Sequence, residues 1–224
     1  MKISIIIPTY NEEKQIKSLI DNLKILEGDF EVIFSDGGST DDTLSIIGND
    51  YTVIHSKKGR ANQMNFGSEY ATGDILFFLH CDSTLEKDAL TKIIDKINDG
   101  YSVGCFKLRF DSRNIWMKVC AYFSNLRVKL RCIAFGDQGI FIKKEVFYDI
   151  GMFPNIPIME DYQLSIYLKE KYKICQVNSK ITTSSRRFLD TGIFKTMWKM
   201  QKLQRMFRNG EDINLISKMY RDIR

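Results

Sequence analysis

Residues Ile3–Ile7 form a short run dominated by β-branched side chains that stops at Pro8. A run that short, with no clean alternation of polar and apolar positions, suits a strand buried on both faces. Such strands belong to sheets covered by helices on each side. The next hundred residues fit that requirement. From Glu12 to Leu26 the apolar positions Ile16, Leu19, Ile20 and Leu23 recur at helical spacing, with Asn11 placed to cap the helix. Phe30–Ser35 reads as a second strand ended by Asp36-Gly37-Gly38, and Ser39 or Thr40 is expected to cap a short helix through Ile47. Tyr51–His55, Ala61–Ala71, Ile75–Leu79 and Glu86–Ile97 continue the alternation of strand and helix. Four such units in sequence predict a doubly wound α/β layer.

The second half is less regular. Strands are expected at Val103–Phe110, Ile140–Ile142 and Lys173–Val177. Helices are expected at Ser112–Leu130, which is rich in aromatic and basic residues, and at Asp161–Lys171, Ile193–Phe207 and Ile213–Tyr220. No linker, repeat or low-complexity stretch divides the chain. Its 224 residues, 44% of them hydrophobic, suffice for one core. One domain over 1–224 is therefore expected, ending in a helical extension over 186–224.

Charge and cysteine usage narrow the setting. The net charge is only +5, which does not argue for nucleic acid. It is concentrated, however: residues 186–224 carry 10 Lys and Arg against 4 Asp and Glu. A basic tail on a near-neutral body suits substrate phosphate or an anionic membrane surface; it is also what a solvated helix face looks like. The five cysteines are scattered and form no CxxC pair, so a disulfide framework and a structural zinc site are not expected, and a reducing, cytoplasmic setting is. The N-terminal apolar run is too short for a signal peptide, and no stretch approaches the roughly 18 apolar residues of a membrane span.

In open α/β sheets, ligands bind beyond the carboxyl ends of the strands. Four polar loops should meet there: Pro8–Glu12, Asp36–Asp42, Lys57–Arg60 and His80–Ser83. Asp36 can accept from a ribose hydroxyl or a base N–H, and Lys57, Lys58 and Arg60 suit phosphate. Asp82 ends a hydrophobic strand, where a lone carboxylate is poorly solvated and a divalent cation would relieve the cost. Simpler roles exist for each: a tight turn for Asp36-Gly37-Gly38, helix-start acids for Asp41 and Asp42, packing for His80 and Cys81. Neither GxGxxG nor GxxxxGK[ST] occurs at the first turn or elsewhere, so dinucleotide and P-loop chemistry are not indicated.

Taken together, these segments resemble the family 2 glycosyltransferases with the GT-A fold. The resemblance rests on Ser4–Glu12, Ser35–Asp42, Ala71–Asp82, Gly136–Phe141, Gly151–Pro154, Met159–Ser165 and Ser184–Phe188, and so covers most of the chain. Gly59–Asn65 and the Leu-His-Cys-Asp form of residues 79–82 are similar to a bacterial subgroup labelled arsenosugar-biosynthesis-like. The resemblance implies a GT-A-like, Rossmann-type, mostly parallel mixed sheet flanked by helices, with a nucleotide-binding half at 1–100 and an acceptor and catalytic half at 101–185.

It also implies roles. Pro8, Thr9, Tyr10 and Glu12 would line the base pocket, Asp36 and Gly37 would hold base or ribose, and Arg60 would lie beside the nucleotide. Cys81 falls within the nucleotide-binding motif. Asp82 matches the metal-binding last Asp of the family's Asp-x-Asp, for Mn²⁺ or Mg²⁺, and His80 stands where the first Asp is expected. Asp161 matches the catalytic base; Asp137, Gln138 and Glu160 would face the sugar or acceptor; Arg186 and Arg187 would approach the diphosphate. The implied activity is inverting transfer from a nucleotide-diphosphate sugar, UDP-linked by family frequency, to a sugar or lipid-linked acceptor. A non-catalytic nucleotide-sugar binder, a protein peripheral to the inner membrane face and a nucleotidyltransferase are the rival readings.

Overall fold

The computed structural model describes residues 1–221; positions 222–224, the end of the basic segment, lie outside the described residues. The strand the sequence points to first lies inside the sheet. β1 (Ile3–Thr9) lies between β2 (Phe30–Asp36) and β4 (Ile75–Phe78), parallel to both. Because successive side chains leave opposite faces of a strand, Ile3, Ile5 and Ile7 enter one core layer and Ile6 the other. The first layer is closed by Ile16, Leu19, Ile20 and Leu23 of α1 (Glu13–Leu23), and the second by Ala61 and Met64 of α3 (Arg60–Tyr70). The helical spacing read in the sequence is thus the face that docks. Asn11 does not cap α1: it adopts a left-handed φ of 53° and turns its carboxamide to Thr40 N.

The full sheet has eight strands in the order β3-β2-β1-β4-β7-β6-β8-β5, with β3 at Thr52–His55, β5 at Ser83–Leu85, β6 at Val103–Phe110, β7 at Ile140–Lys143 and β8 at Cys175–Thr183. The chain passes from β1 outward to β2 and β3, then crosses back to β4 on the far side of β1. That reversal opens a crevice at the carboxyl ends of β1 and β4. β7 pairs antiparallel with β4 and with β6, while β6 and β8 are parallel, so the sheet is mixed and mostly parallel as expected.

Short elements escape the sequence reading. β5 is a three-residue edge strand paired with β8, too short for any periodicity, and α6 (Lys144–Asp149) is six residues long. β8 runs six residues beyond its expected end, because Ser179, Ile181 and Thr183 alternate inward with polar residues outward over its second half. α2 (Thr43–Ile47) starts two residues later than a Thr40 cap would put it; Asp41 accepts from Thr43 N at 3.1 Å instead.

β6 passes close to both neighbours at Gly104. A Cβ there would collide with Cys175 Sγ and Phe141 Cζ, inside a core where Phe141 is fully buried. Gly104→Val is therefore expected to cost about 3 kcal/mol by overpacking. For a chain of this size that corresponds to a Tm lower by roughly 6–12 °C; an unchanged melting curve would contradict this packing.

α4 (Ala89–Asn98) covers the first core layer, as does α5 (Ile115–Arg131), which begins at Asn114, whose Oδ1 accepts from Trp116 N at 2.9 Å. The C-terminal segment folds back as α8 (Arg186–Thr191), α9 (Ile193–Arg208) and α10 (Ile213–Arg221). Leu203, Met206 and Ile216 from these helices pack with Ile133, Met159 and Tyr162, a third apolar cluster. Met159 and Tyr162 flank the start of α7 (Glu160–Lys171), so this cluster anchors the extension beside the crevice.

Candidate active site

A cleft of about 1080 Å³ opens at the switch point between β1 and β4. Three of the four polar loops line it directly, through Tyr10 and Glu12, Lys58 and Arg60, and His80 and Asp82. The second loop, at Asp36–Asp42, lies behind the first and shapes it. Asn11 N donates to Ser39 Oγ at 3.0 Å and Glu12 N to Thr43 Oγ1 at 2.7 Å. Asp36 is buried, and its carboxylate accepts from Gly38 N at 2.8 Å, Ser39 N at 3.0 Å and Ser39 Oγ at 2.6 Å. Asp36 therefore organises its own turn and does not line the cleft. Gly37 and Thr9 do not line it either. A Cβ on Gly37 would lie 3.2 Å from Lys58 Cα, and Thr9 is buried, its carbonyl accepting from Gln63 Nε2 at 2.7 Å.

At one end of the cleft the Lys58 ammonium sits 3.6 Å from the Tyr10 ring centroid, a cation–π contact that presents an aromatic edge and a positive charge together. Arg60 lines the cleft but is already committed, its Nε lying 2.8 Å from Glu160 Oε1. Glu160's charge is the main influence holding Arg60 protonated beyond its ordinary range. Glu160 itself is buried beneath Arg60. The pair ties the start of α3 to the start of α7. Cys81 lines the cleft and also joins two loops: it is largely buried, its Sγ donates to Pro8 O at 3.5 Å, and burial pushes its thiol well up.

The middle of the cleft holds carboxylates from two distant parts of the chain. Asp82 follows β4; Asp161 stands in the first turn of α7, reached through Met159 at a left-handed φ of 65°. Asp161 Oδ2 accepts from Gly136 N at 2.7 Å and Oδ1 accepts from Tyr162 N at 2.7 Å, so its orientation is held at both oxygens. Gly136 allows close approach: a Cβ there would be 2.7 Å from the His80 ring and 3.5 Å from Asp161 Oδ2. His80 and Asp161 thus converge on one glycine backbone.

Asp137, next in the chain, also lines the cleft, and its Oδ1 is enclosed without a partner. Burial chiefly raises its pKa from 3.8 to about 6; Arg127 opposes the shift, and Asp161 and Asp82 add to it. A carboxyl that holds its proton more tightly when folded costs stability once the unfolded chain ionises. The cost is absent below pH 3.8, grows as pH rises, and is complete above about 6. Asp137→Asn is therefore expected to gain in Tm over the wild type between pH 4 and 7 and then hold level. Parallel melting curves at all pH values would show that Asp137 ionises normally.

Arg127 of α5 has no signal in the sequence, because one Arg inside an aromatic-basic helix reads as solvated surface. It lines the cleft, stacked 3.9 Å from the Phe135 ring centroid, with Nη2 donating to Gln138 Oε1 at 2.8 Å and Nε to Ile133 O at 3.2 Å. Gln138 is fully buried and holds Arg127; it does not face the cleft. Arg186 and Arg187 reach the cleft from α8, and Arg187 Nη1 donates to Tyr220 Oη at 2.7 Å.

Residues 4–151 match the family described as Glycosyl transferase family 2. The chain belongs to that family. Among its relatives, the Campylobacter jejuni GalNAc(5)-diNAcBac-PP-undecaprenol beta-1,3-glucosyltransferase is 32% identical over 111 residues, 45% of this chain and 36% of the relative. A Mycobacterium bovis PGL/p-HBAD biosynthesis glycosyltransferase is 38% identical over 100 residues, 40% of this chain and 39% of the relative. Each match spans well under half of the relative's length.

Solved structures show the same architecture. Staphylococcus aureus TarS 1–349 matches with a TM-score of 0.66 at 21% identity, over 84% of this chain and 61% of its own. The mannosyltransferase PcManGT of Pyrobaculum calidifontis, solved with GDP-Man and Mn²⁺, matches with a TM-score of 0.68 at 19% identity, over 90% and 61%. These establish the GT-A-like fold expected from the sequence. The Mycobacterium tuberculosis glucosyl-3-phosphoglycerate synthase, solved with Mn²⁺ and UDP, also matches, at a TM-score of 0.56 and 21% identity over 82% and 70%.

Proposed function

We propose that this family 2 chain transfers a sugar from a nucleoside-diphosphate sugar to an acceptor hydroxyl, with inversion at the anomeric carbon. The observation that carries the reading is the convergence of Asp82 and Asp161 on one cleft from opposite halves of the sheet. Tyr10 and Lys58 receive the nucleoside end, and Asp82 faces the diphosphate. Asp161, oriented by two backbone N–H groups, takes the proton of the attacking hydroxyl. Direct displacement by a base-activated hydroxyl inverts the configuration. Arg186 and Arg187 approach the leaving diphosphate as it gains charge. A UDP-linked donor is the proposed one, supported by a TarS 1–349 structure solved in complex with UDP.

A divalent cation fits the residues present. Asp82 offers hard oxygen ligands to the cleft, and Asp137, which lines the same cleft, has one carboxylate oxygen without a partner. Among the described residues no group of three protein ligands is preassembled. Asp82 would therefore be the principal protein ligand, with diphosphate oxygens completing the set. When bound, Mn²⁺ or Mg²⁺ supplies Lewis-acid stabilisation of the leaving diphosphate. NMR of the first-formed product tests the stereochemistry: an inverted anomeric signal is expected, and retention would refute the displacement by an Asp161-activated hydroxyl.

His80, standing in place of a carboxylate, favours a second reading as a non-catalytic nucleotide-sugar binder; nucleoside diphosphate release in the presence of acceptor distinguishes the two. We place the protein at the cytoplasmic face of a membrane, with a sugar or lipid-linked acceptor. The support is a surface on α5 and α9 where Trp116, Tyr122, Phe123, Leu130, Phe194 and Trp198 are exposed among Lys118, Lys129 and Lys195. Trp116 and Phe194 are in ring contact at 4.9 Å, which joins the two helices into one patch. No helix among the described residues is long and apolar enough to cross a membrane. Sedimentation with phosphatidylglycerol vesicles is expected, with loss on Trp198→Glu; equal partitioning with neutral vesicles would refute the anionic surface.

A further inference from the structure

Arg127 is a guanidinium held in place but not neutralised. Phe135 supports one face, while Ile133 O and Gln138 Oε1 take two of its five N–H groups. No carboxylate among the described residues lies within ion-pair distance of it. Partly burying a cation without an ion pair is costly, and desolvation pulls the half-buried Arg127 below its ordinary pKa range. Asp137 and Asp161 act on it through space, yet the Asp137 Oδ1 nearby also lacks a partner. Arg127, Asp137 and Asp161 all line the cleft, and no salt bridge among the described residues joins Arg127 to either carboxylate. Arg131, one turn later on α5, is exposed, lines the same cleft, and forms no ion pair with a described residue.

We propose that Arg127, backed by Arg131, forms a phosphate-binding subsite on the acceptor side of the cleft, for a phosphate group carried by the acceptor. The planar fork of Arg127 is fixed by stacking and two hydrogen bonds, so its remaining donors are presented in a set direction suited to a phosphate oxygen pair. A second cation four residues on favours a group of more than one negative charge over a single carboxylate. The subsite belongs to the Asp161 side, since Arg127 stacks on Phe135 and holds Gln138, which bracket Gly136, the backbone donor to Asp161; the Lys58–Tyr10 pair stands on the proposed nucleoside side. Assignment to the acceptor rests on Asp161 as the base. The phosphate itself reaches the cleft on a soluble ester or on a lipid headgroup; the chemistry at Arg127 is the same.

Calorimetry in two stages separates this subsite from the donor site. Wild type and Arg127→Gln are first titrated with UDP and Mg²⁺, then, nucleotide-loaded, with glycerol 1-phosphate and with decyl phosphate. The expected result is equal UDP affinity in both proteins and at least tenfold weaker phosphate-ester binding by Arg127→Gln. Tighter binding of decyl phosphate than of glycerol 1-phosphate identifies a lipid source; equal binding identifies a soluble one. If UDP does not bind, the donor reading fails by itself, and the ester titrations of the unloaded proteins still read Arg127. Should Arg127→Gln not fold, Arg131→Gln, at an exposed position, is expected to weaken ester binding severalfold at low salt. The proposal is overturned if nucleotide-loaded wild type binds neither ester, if Arg127→Gln binds them equally well, or if Arg127→Gln loses UDP instead.

Discussion

Asp161→Asn is expected to lower glycosyl transfer by roughly 10²–10⁴-fold, the usual contribution of a positioned general base, while nucleotide affinity is kept. The amide has the shape of the carboxylate but no basic lone pair strong enough to take the acceptor proton. Its structural cost is separate. In the native site both oxygens accept, one from Gly136 N and one from Tyr162 N. An amide can satisfy only one of these donors, so a loss of about 1–3 kcal/mol in stability is expected from the N–H left facing an NH₂ group. Kinetics well below the variant's Tm distinguish lost base from lost fold. Near-wild-type transfer by the folded variant would remove Asp161 from the mechanism, and a parallel loss of nucleotide affinity would move it to the donor site.

Asp82→Ala is expected to act on the other substrate. The metal-dependent part of nucleotide binding should fall by at least about 100-fold, since even outer-sphere partners of a bound metal typically cost 10–100-fold. Binding without metal, which the proposed reading assigns to Tyr10 and Lys58, should change little. The same substitution removes one of the charges that raise the Asp137 pKa, so that group should titrate at lower pH than its wild-type value of about 6. Unchanged titrations with and without Mn²⁺ would show that no cation is held at Asp82.

The parts of the fold legible in the sequence are those whose periodicity and burial agree. Ile3–Ile7 and the Ile16, Leu19, Ile20, Leu23 face specify β1, α1 and their mutual packing because both patterns persist over whole elements. β5 and α6 are invisible because three and six residues carry no period, and β5 exists only through its pairing with β8. In the site, the motif-bearing loops bring Asp82, Asp137 and Asp161 to one cleft. Asp36, Gly37, Thr9, Gln138, Glu160 and Cys81, which the motifs place at the ligand, have side chains or close approaches that hold the loops forming the cleft walls, and Cys81 also lines the cleft. Spacing along a chain identifies which loops meet, but it does not say which polar atoms turn inward to satisfy backbone donors. Arg127 is missed for the converse reason: its signal is the absence of an ion pair inside a cleft, a property only of the folded chain.

Binding of a nucleoside-diphosphate sugar in this cleft, through Asp82 and a divalent cation, underlies every step proposed above. Thermal unfolding with a panel of UDP- and GDP-linked sugars, with and without Mn²⁺, tests it most directly. A donor at 100 times its dissociation constant stabilises the native state by about 2.7 kcal/mol, a Tm rise of roughly 5–10 °C for a chain of this size. We predict such a rise for at least one nucleotide sugar, dependent on Mn²⁺ and lost in Asp82→Ala. No shift with any donor in the presence of Mn²⁺, or a full shift retained by Asp82→Ala, would contradict it.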